Sequence, residues 1–353
     1  MNKSKIIGLG VLLVVIITVI AFMFFKPKAL QKVDGYLGGE KIGLFEDEEF
    51  KSIMSKDYGL DVNYKKAGSI DMVRADKENM NYLFPASQTA LELYKTEIGA
   101  PKKSEIILNT PLVLYTHANI KDKLIEHGYV VEENGSWYMD MEKFAEAIIA
   151  GKTWADIGLP ELYGSISVKT TDPTKSNSGN MFAGLIANSI NKGVVDNKDD
   201  FEKIMPDVKN FFGKMGYMDT SSHDLFEQFL KMGVGAYPMI AAYENQILEF
   251  AISNTEDWEK IGQDIVIIYP TPTVYSSHVM IALDELGEET ITALTDNKIQ
   301  DLAWKKHGFR TGVSGAQDPS VFGVQGVANQ INKVMPMPDF KIMEMIIEEL
   351  KNY

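Results

Sequence analysis

The sequence predicts an α/β protein built from two lobes, and two features carry that prediction. The first is a unit that occurs four times: an apolar β run ends in small polar residues, which then open a helix-periodic run. The second is a pair of long β runs interrupted by proline-containing segments, 109–111 and 269–273, where the chain would cross between the lobes. Ligands of open α/β sheets collect at the carboxyl ends of strands, so the repeated unit also predicts a binding cleft.

The clearest unit lies at 165–191. Its β run ends at Val168, and Ser176-Asn177-Ser178-Gly179 opens an apolar run that continues through Ile186. The first turn of a helix leaves backbone N–H groups without partners, and small residues let a ligand reach them. An anion or a polar solute would suit such a pocket. The alternative is that Ser176 or Ser178 simply caps its own helix.

Three further units follow the same order in the N-terminal third of the chain. The small or charged residues after their β runs are Gly39 and Lys41 (after the run that starts at 33), Gly68 and Ser69 (after 60–64), and Ser87 (after 82–84). Each small residue has the same capping alternative. Lys41 is unusual, because a cation beside a helix N-terminus opposes the helix dipole unless an anion is near. Its alternative is a surface ion pair with Glu40, Glu46 or Asp47.

Two more strand or helix ends complete the predicted cleft. Ser221 and Ser222 open the helical run at 225–230, and the β run at 235–242 ends at Tyr243 and Glu244. Tyr243 would face the cleft, and its alternative is to pack on the next helix. Arg310 is a second candidate cation, for which a surface position is the expectation.

The two crossings divide the chain. Lobe one comprises 33–110 with 274–353, lobe two comprises 111–273, and 1–32 form a membrane anchor or signal segment with a linker. The final helix, at 340–350, would pack its apolar side chains against lobe one. We expect the cleft to close about both crossings when a ligand binds.

Residues 6–25 are twenty residues without a charge, and lysines flank them on both sides. At ~1.5 Å per residue such a helix spans ~30 Å, the thickness of the hydrocarbon core of a membrane. The residues that follow, FFKPKA, make a poor cleavage site for a signal peptidase. We therefore expect an uncleaved anchor in the cell membrane, with the globular part outside the cell.

Charge and composition exclude several function classes. The formal charge is −14, and residues 1–32 carry five lysines and no acid, which leaves 30 basic against 49 acidic residues, or −19, elsewhere. That balance argues against nucleic acid as a partner. The chain has no cysteine, which excludes disulfides, thiolate catalysis, cysteine–zinc sites and a lipid-bearing cysteine. The five histidines show no paired spacing, so we expect neither a metal nor a cofactor.

In order and content these segments resemble the extracellular solute-binding proteins with the type II periplasmic binding fold, in the branch that includes molybdate-, tungstate- and sulfate-binding proteins. The resemblance covers nearly all of 33–353 and rests on the GGEK, YGLDVNYKKAGSIDMV, FPASQ, DPTKSNSGN and YENQ segments and on the two crossings. It implies that Ser69 helps to hold an oxyanion, that 176–179 supply a helix N-terminus, and that Tyr243 donates a hydrogen bond. It also implies an ABC-type importer permease as a partner.

Two features depart from the family pattern. Lys41 brings a charge where these oxyanion binders use hydroxyl and backbone N–H groups, and it would suit a larger anion or a carboxylate-bearing organic solute. The predicted membrane helix takes the place of the lipid-bearing cysteine.

Two other functions stay open: a solute-sensing or interaction protein that uses the same fold without transport, and a membrane-anchored hydrolase. The S-x-x-K sequence at 189–192 falls at the end of its helix, whereas a penicillin-type serine would need to be near the start. The sequence therefore favours a binding protein over an enzyme.

The predicted ligand-binding residues are Gly39, Lys41, Gly68, Ser69, Ser87, Ser176, Asn177, Ser178, Gly179, Ser221, Ser222, Tyr243 and Glu244. Bulky replacements of Ser178 and Gly179 should abolish binding and leave the melting temperature of the free protein nearly unchanged.

Overall fold

A computed structural model describes residues 30–311 and 318–351. The predicted anchor at 6–25 lies outside these ranges, and within them no helix has the length and apolar character needed to span a membrane. The strands are β1 (Gln31–Leu37), β2 (Leu60–Lys66), β3 (Tyr82–Phe84), β4 (Lys103–His117), β5 (Val130–Glu133), β6 (Ser136–Asp140), β7 (Met239–Tyr243), β8 (Ile265–Thr271) and β9 (Tyr275–Ala282).

The α-helices alternate with these strands along much of the chain, which confirms the predicted mixed α/β class. They are α1 (Ile42–Glu46), α2 (Glu48–Ile53), α3 (Ser69–Arg74), α4 (Gln88–Glu97), α5 (Ala118–Glu126), α6 (Met141–Ile149), α7 (Asn177–Asn191), α8 (Lys198–Gly213), α9 (Ser222–Met232), α10 (Glu244–Ser253), α11 (Thr255–Ile261), α12 (Glu285–Leu294), α13 (Asn297–Lys305) and α14 (Phe340–Lys351).

The strands run in the order β2-β1-β3-β9-β4-β8-β6-β5, and β7 also pairs with β4. Parallel pairing joins β1 to β2 and to β3, and antiparallel pairing joins β3 to β9 and β9 to β4. We call these strands, with 103–111 of β4, sheet region one. Sheet region two consists of β5, β6, β7 and β8 with 112–117 of β4.

The long strand β4 joins the two sheet regions. Its residues up to Pro111 pair with β9, and from Leu112 onward its partners are β7 and β8. The sequence predicts a break at 109–111, but the strand is continuous there. Pro111, which has no N–H to donate, is tolerated because it lies where β4 changes partners.

Alternating side chains of these strands enter different apolar clusters, which is the two-residue period of a sheet covered on both faces. On β9, Val279 and Ile281 pack with α4, while Met280 packs in the cluster that contains α12. On β4, Leu114 packs in the cluster of α6, α7 and α8, while Tyr115 packs with α9 and α10. Each sheet region therefore has helices on both faces.

The last helix, α14, contradicts its predicted position. Its buried residues Ile342, Met343 and Ile346 belong to the apolar cluster of α7 and α8, which lies in predicted lobe two, and not to a cluster of lobe one. Gly184 of α7 leaves room for this packing, because a side-chain carbon there would lie 2.3 Å from Cε of Met337 and 3.1 Å from the sulfur of Met343.

The described chain has no continuous strand at 165–168, where the sequence predicts one. This stretch runs through isolated bridges, Thr153 with Ser165, Lys169 with Ile240 and Thr171 with Asp219. The bridges still bring the segment before α7 alongside β7, so the loop at 172–176 reaches the same edge as the end of β7.

Candidate functional site

The carboxyl ends of three parallel strands meet at one edge of sheet region one. Leu37, the last residue of β1, is in register with Lys66 of β2 and with Phe84 of β3. The loops after these strands, 38–41, 67–69 and 85–87, therefore lie side by side. Opposite them lie the start of α7, the start of α9 and the end of β7.

The loops after β1 and β2, with the starts of α7 and α9 and the end of β7, line a cavity of about 330 Å³, which we call the first cavity. Its wall consists of Gly38, Gly39, Glu40, Lys66, Ala67, Gly68, Ser69, Lys175, Ser176, Asn177, Ser178, Thr220, Ser221, Ser222 and Tyr243. Nine predicted ligand-binding residues come together on that wall: Gly39, Gly68, Ser69, Ser176, Asn177, Ser178, Ser221, Ser222 and Tyr243. The other four, Lys41, Ser87, Gly179 and Glu244, do not line it.

The alternative that a predicted serine caps its own helix is correct for one of these serines and wrong for another. Ser87 accepts a hydrogen bond from the backbone N–H of Ala90 and so caps its own helix. Ser176 and Ser221 hold the capping positions of α7 and α9, but neither side chain caps its helix within the described structure. The alternative is therefore correct for Ser87 and wrong for Ser176, and the first turns of α7 and α9 begin uncapped on the cavity wall.

The hydroxyl groups at the start of α7 bond to one another instead. The Ser178 hydroxyl lies 2.8 Å from that of Thr171 and 3.1 Å from that of Ser176. Each of these hydroxyls can donate or accept a hydrogen bond, so the group can offer either a donor or an acceptor to a solute.

Asn177 connects the start of α7 to Tyr243 and to the loop after β3. Its amide donates to the Tyr243 hydroxyl at 2.9 Å and to the carbonyl of Ala86, which follows β3, at 3.2 Å. Burial raises the pKa of Tyr243 and the nearby Glu40 carboxylate raises it further, so the phenol stays neutral and can donate. Tyr243 is the last residue of β7 and lines the first cavity, as predicted, and its role in binding stays a prediction.

Lys41 does not present its charge to the cavity. Its side chain is fully buried, and its Nζ donates to Glu40 and lies 3.0 Å from Nδ1 of His278. The Phe84 ring centroid is 4.9 Å from the same nitrogen. The alternative partner Glu40 is therefore correct, but the ion pair is buried rather than at the surface.

Lys41, Glu40 and His278 shift one another's pKa values. Burial lowers the pKa of Lys41 and the Glu40 carboxylate opposes that change. Burial raises the pKa of Glu40, but the Lys41 ammonium and His278 outweigh burial and hold that pKa well below its usual range. Burial first, and the charge of Lys41 next, lower the pKa of His278 to about 4, although Glu40 opposes that change. At neutral pH the group is an ion pair beside a neutral imidazole.

Glu244 has a structural partner. Its carboxylate accepts from Arg310 at 2.6 Å and 2.8 Å, and Arg310 also donates to the carbonyls of Ala328 and Asn329. Burial lowers the pKa of Arg310, but Glu244 outweighs burial and raises it. The expected surface position of Arg310 is wrong, because this residue is 8% exposed and anchors the segment at 328–329.

Gly179 also serves packing. A side-chain carbon there would lie 2.2 Å from the carbonyl oxygen of Thr171, so a larger residue cannot fit without moving the backbone. This close contact argues against the expectation that a bulky replacement of Gly179 leaves stability unchanged, and we expect such a replacement to destabilise the protein.

Lys66 and Thr220 line the first cavity, although the sequence reasoning passed over them. The sequence contains a signal for Lys66, because this residue ends a strand whose carboxyl end lies at the cleft. Among the described residues, Lys66 has no carboxylate within 4.0 Å, whereas Lys175 on the same wall lies 3.3 Å from Asp172.

The S-x-x-K sequence does not join its serine to its lysine. The Ser189 hydroxyl donates to the Leu185 carbonyl of its own helix at 2.7 Å, and Lys192 pairs with Glu146 at 3.0 Å.

No protein-family model and no curated protein sequence matches this chain. Solved structures do match. A periplasmic thiamin-binding protein is 10% identical with a TM-score of 0.60, over 91% of this chain and 95% of that one. The substrate-binding protein of an ABC transporter from Agrobacterium tumefaciens is 13% identical with a TM-score of 0.56, over 93% and 95%.

A two-component system protein described as mediating signal transduction is 14% identical with a TM-score of 0.54, over 90% of this chain and all of that one. Identities this low establish the fold and leave the solute open. The chain therefore has the mixed α/β fold of the type II periplasmic binding proteins.

Proposed function

We propose that this chain is a membrane-anchored extracellular protein that captures a small anionic or polar solute in the first cavity. The observation that carries the proposal is the convergence, from both sheet regions, of hydroxyl groups and two uncapped helix N-termini on that one cavity. Backbone N–H groups at helix starts favour anions, and Lys66 adds a positive charge. A volume of about 330 Å³ suits a small solute.

An ABC-type importer permease is the proposed partner, which the likeness to the Agrobacterium substrate-binding protein supports. The second candidate is solute sensing without transport. The likeness to the two-component protein and the predicted uncleaved anchor favour that candidate. Sensing and transport use the same cavity, so the binding test below applies to both.

The proposed binding is tested by calorimetric titration of the full chain in detergent with phosphate, sulfate, molybdate, acetate and benzoate. We expect at least one of these anions to bind, and Lys66→Gln to weaken that binding because it removes the unpaired charge on the wall. Absence of binding by every anion in wild type would refute an anion site.

The proposed location is tested by treating intact cells with an external protease. We expect the globular part to be cleaved while residues 1–32 stay in the membrane fraction. Protection of the globular part in intact cells, with cleavage after lysis, would refute an extracellular position.

A further inference from the structure

A second cavity, of about 660 Å³, adjoins the first. The two cavities share Gly39, Glu40 and Lys66 on the side of sheet region one. On the opposite side the chain passes directly from one to the other, since Ser222 lines the first and His223 the second. The two spaces are therefore neighbouring parts of one groove.

The second cavity differs in chemistry from the first. Its apolar wall residues are Ile42, Phe226, Leu230, Phe250 and Ile261. Phe226 and Phe250 meet edge to face, with ring centroids 6.1 Å apart. Such a wall favours contact with an apolar body, and with an aromatic ring in particular.

The charged residues of the second cavity are mostly paired within the protein. Ion pairs join Lys231 to Glu227, Lys260 to Asp257, and Lys41 to Glu40, and the Glu249 carboxylate lies 2.7 Å from Nδ1 of His307. A solute would therefore meet little unpaired positive charge along this wall.

Lys66 is the exception among the described residues of the wall, and it stands where the two cavities meet. It is exposed and has no carboxylate within 4.0 Å in the described structure. Gly39 gives it room, because a side-chain carbon at Gly39 would lie 2.9 Å from Cε of Lys66. One unbalanced positive charge thus lies at the junction of a polar cavity and an apolar one.

We propose that the solute is an organic anion, with its anionic group in the first cavity, a ring-sized apolar body in the second, and Lys66 at the junction. An inorganic oxyanion would fill the first cavity and leave the apolar wall in water. This inference rests on the proposed function and narrows it from small anions to organic anions.

Two pairs of probes separate the head of the solute from its body: inorganic phosphate with phenyl phosphate, and acetate with benzoate. Calorimetric titration of the full chain in detergent should show the aromatic member of a pair binding roughly tenfold more tightly, because it buries a ring against the apolar wall. Ser253 is exposed and lines the second cavity, so Ser253→Trp places a large ring at the wall where the apolar body of the solute would bind. It should remove the tenfold preference and leave phosphate or acetate binding unchanged, whereas Ser253→Ala should change neither.

Equal affinities for the two members of each pair, unaltered in Ser253→Trp, would overturn this inference and leave the proposed function standing. An equal loss of phosphate and phenyl phosphate binding in Ser253→Trp would also overturn it, since the two cavities would then not act as separate parts. Absence of binding by all four probes would overturn the inference, and absence of sulfate and molybdate binding as well would overturn the anion site.

Discussion

Lys41 is a structural charge rather than a ligand contact. Its ammonium is buried against Glu40 and His278, so removing it leaves the Glu40 carboxylate buried without a counter-ion. We expect Lys41→Met to lower the free energy of unfolding by about 3–5 kcal/mol. Urea denaturation of the full chain in detergent measures this.

Lys66→Met is the matched control, because Lys66 is exposed and unpaired within the described structure. It should change the free energy of unfolding by no more than about 0.5 kcal/mol and still weaken anion binding. Wild-type stability in Lys41→Met would contradict the structural role of the buried pair.

His278 makes stability depend on pH. Burial first, and the charge of Lys41 next, lower its pKa from 6.5 to about 4, so the unfolded chain binds a proton that the folded protein does not. The contribution of a neutral His278 is therefore fully present above pH 6.5 and is lost as the pH falls toward 4. The shift corresponds to about 3 kcal/mol.

The slope of unfolding free energy against pH tests this role. In His278→Gln the slope between pH 6.5 and 4 should flatten, whatever the overall stability of the variant. His223→Gln, whose side chain in the wild type is 61% exposed, should keep the wild-type slope. An unchanged slope in His278→Gln would show that another group titrates in this range.

A replacement of Gly179 tests the stability of the protein rather than ligand binding. Gly179→Ala puts a carbon against the Thr171 carbonyl, and we expect it to lower the free energy of unfolding by about 1–3 kcal/mol. Gly193→Ala is the control, because nothing lies within 4 Å of the added carbon there. Thermal melting of the two variants compares them, and equal melting temperatures would contradict the close packing of α7 against 171–172.

At the scale of elements, some helices have a side-chain cap at the N-terminus and others do not. Ser221→Asp should cap α9 and stabilise the protein by about 1 kcal/mol. The same carboxylate faces the first cavity, so anion binding should weaken. Thermal melting and calorimetric titration of one sample give both values, and tighter anion binding in this variant would contradict an anion site at α9.

Ser87→Ala is the matched control for a helix that is already capped. It removes the cap of α4, outside the first cavity, so it should cost about 1 kcal/mol and leave anion binding unchanged.

The helix starts also show how far the sequence alone could go. Strand β3 lies at the predicted residues 82–84, and helix α9 contains the predicted helical run at 225–230, because their signals are local. Ser87 and Ser176 carry the same capping chemistry, and sequence cannot separate them. In the structure the Ser176 hydroxyl bonds that of Ser178, which also bonds Thr171, a residue held by a bridge to the distant Asp219.

At the scale of the whole molecule, sequence periodicity predicts that a face is buried but not what buries it. The sequence periodicity shows the apolar face of α14, but the packing of that face on α7 depends on the room that Gly184 leaves. The burial of Lys41 likewise depends on His278, which is 237 residues away in the chain. Pro111 and Pro270 of the predicted crossings lie inside β4 and β8, and what the structure shows beside them is that β4 changes partners after Pro111 and that β8 is followed by β9.

Cleft closure is the prediction that involves the whole chain. The wall of the first cavity comes from both sheet regions, which β4 and the link from β8 to β9 connect. A solute that contacts both walls stabilises the closed arrangement only through contacts that the open one lacks. A side-chain carbon on Gly68 would lie 3.5 Å from the Lys175 carbonyl on the opposite wall.

The chain contains no cysteine, so Gly68→Cys combined with Lys175→Cys introduces the single pair of thiols that can crosslink across the cleft. Calorimetry of the reduced variant first establishes that it binds phenyl phosphate. The anion should then raise the rate of disulfide formation several-fold, since it holds the two walls together, and should not do so in Gly193→Cys with Lys175→Cys. A rate that ignores the bound anion in the first variant would mean that the walls stand equally close with and without solute, and the cavity would then be a rigid site rather than a closing cleft.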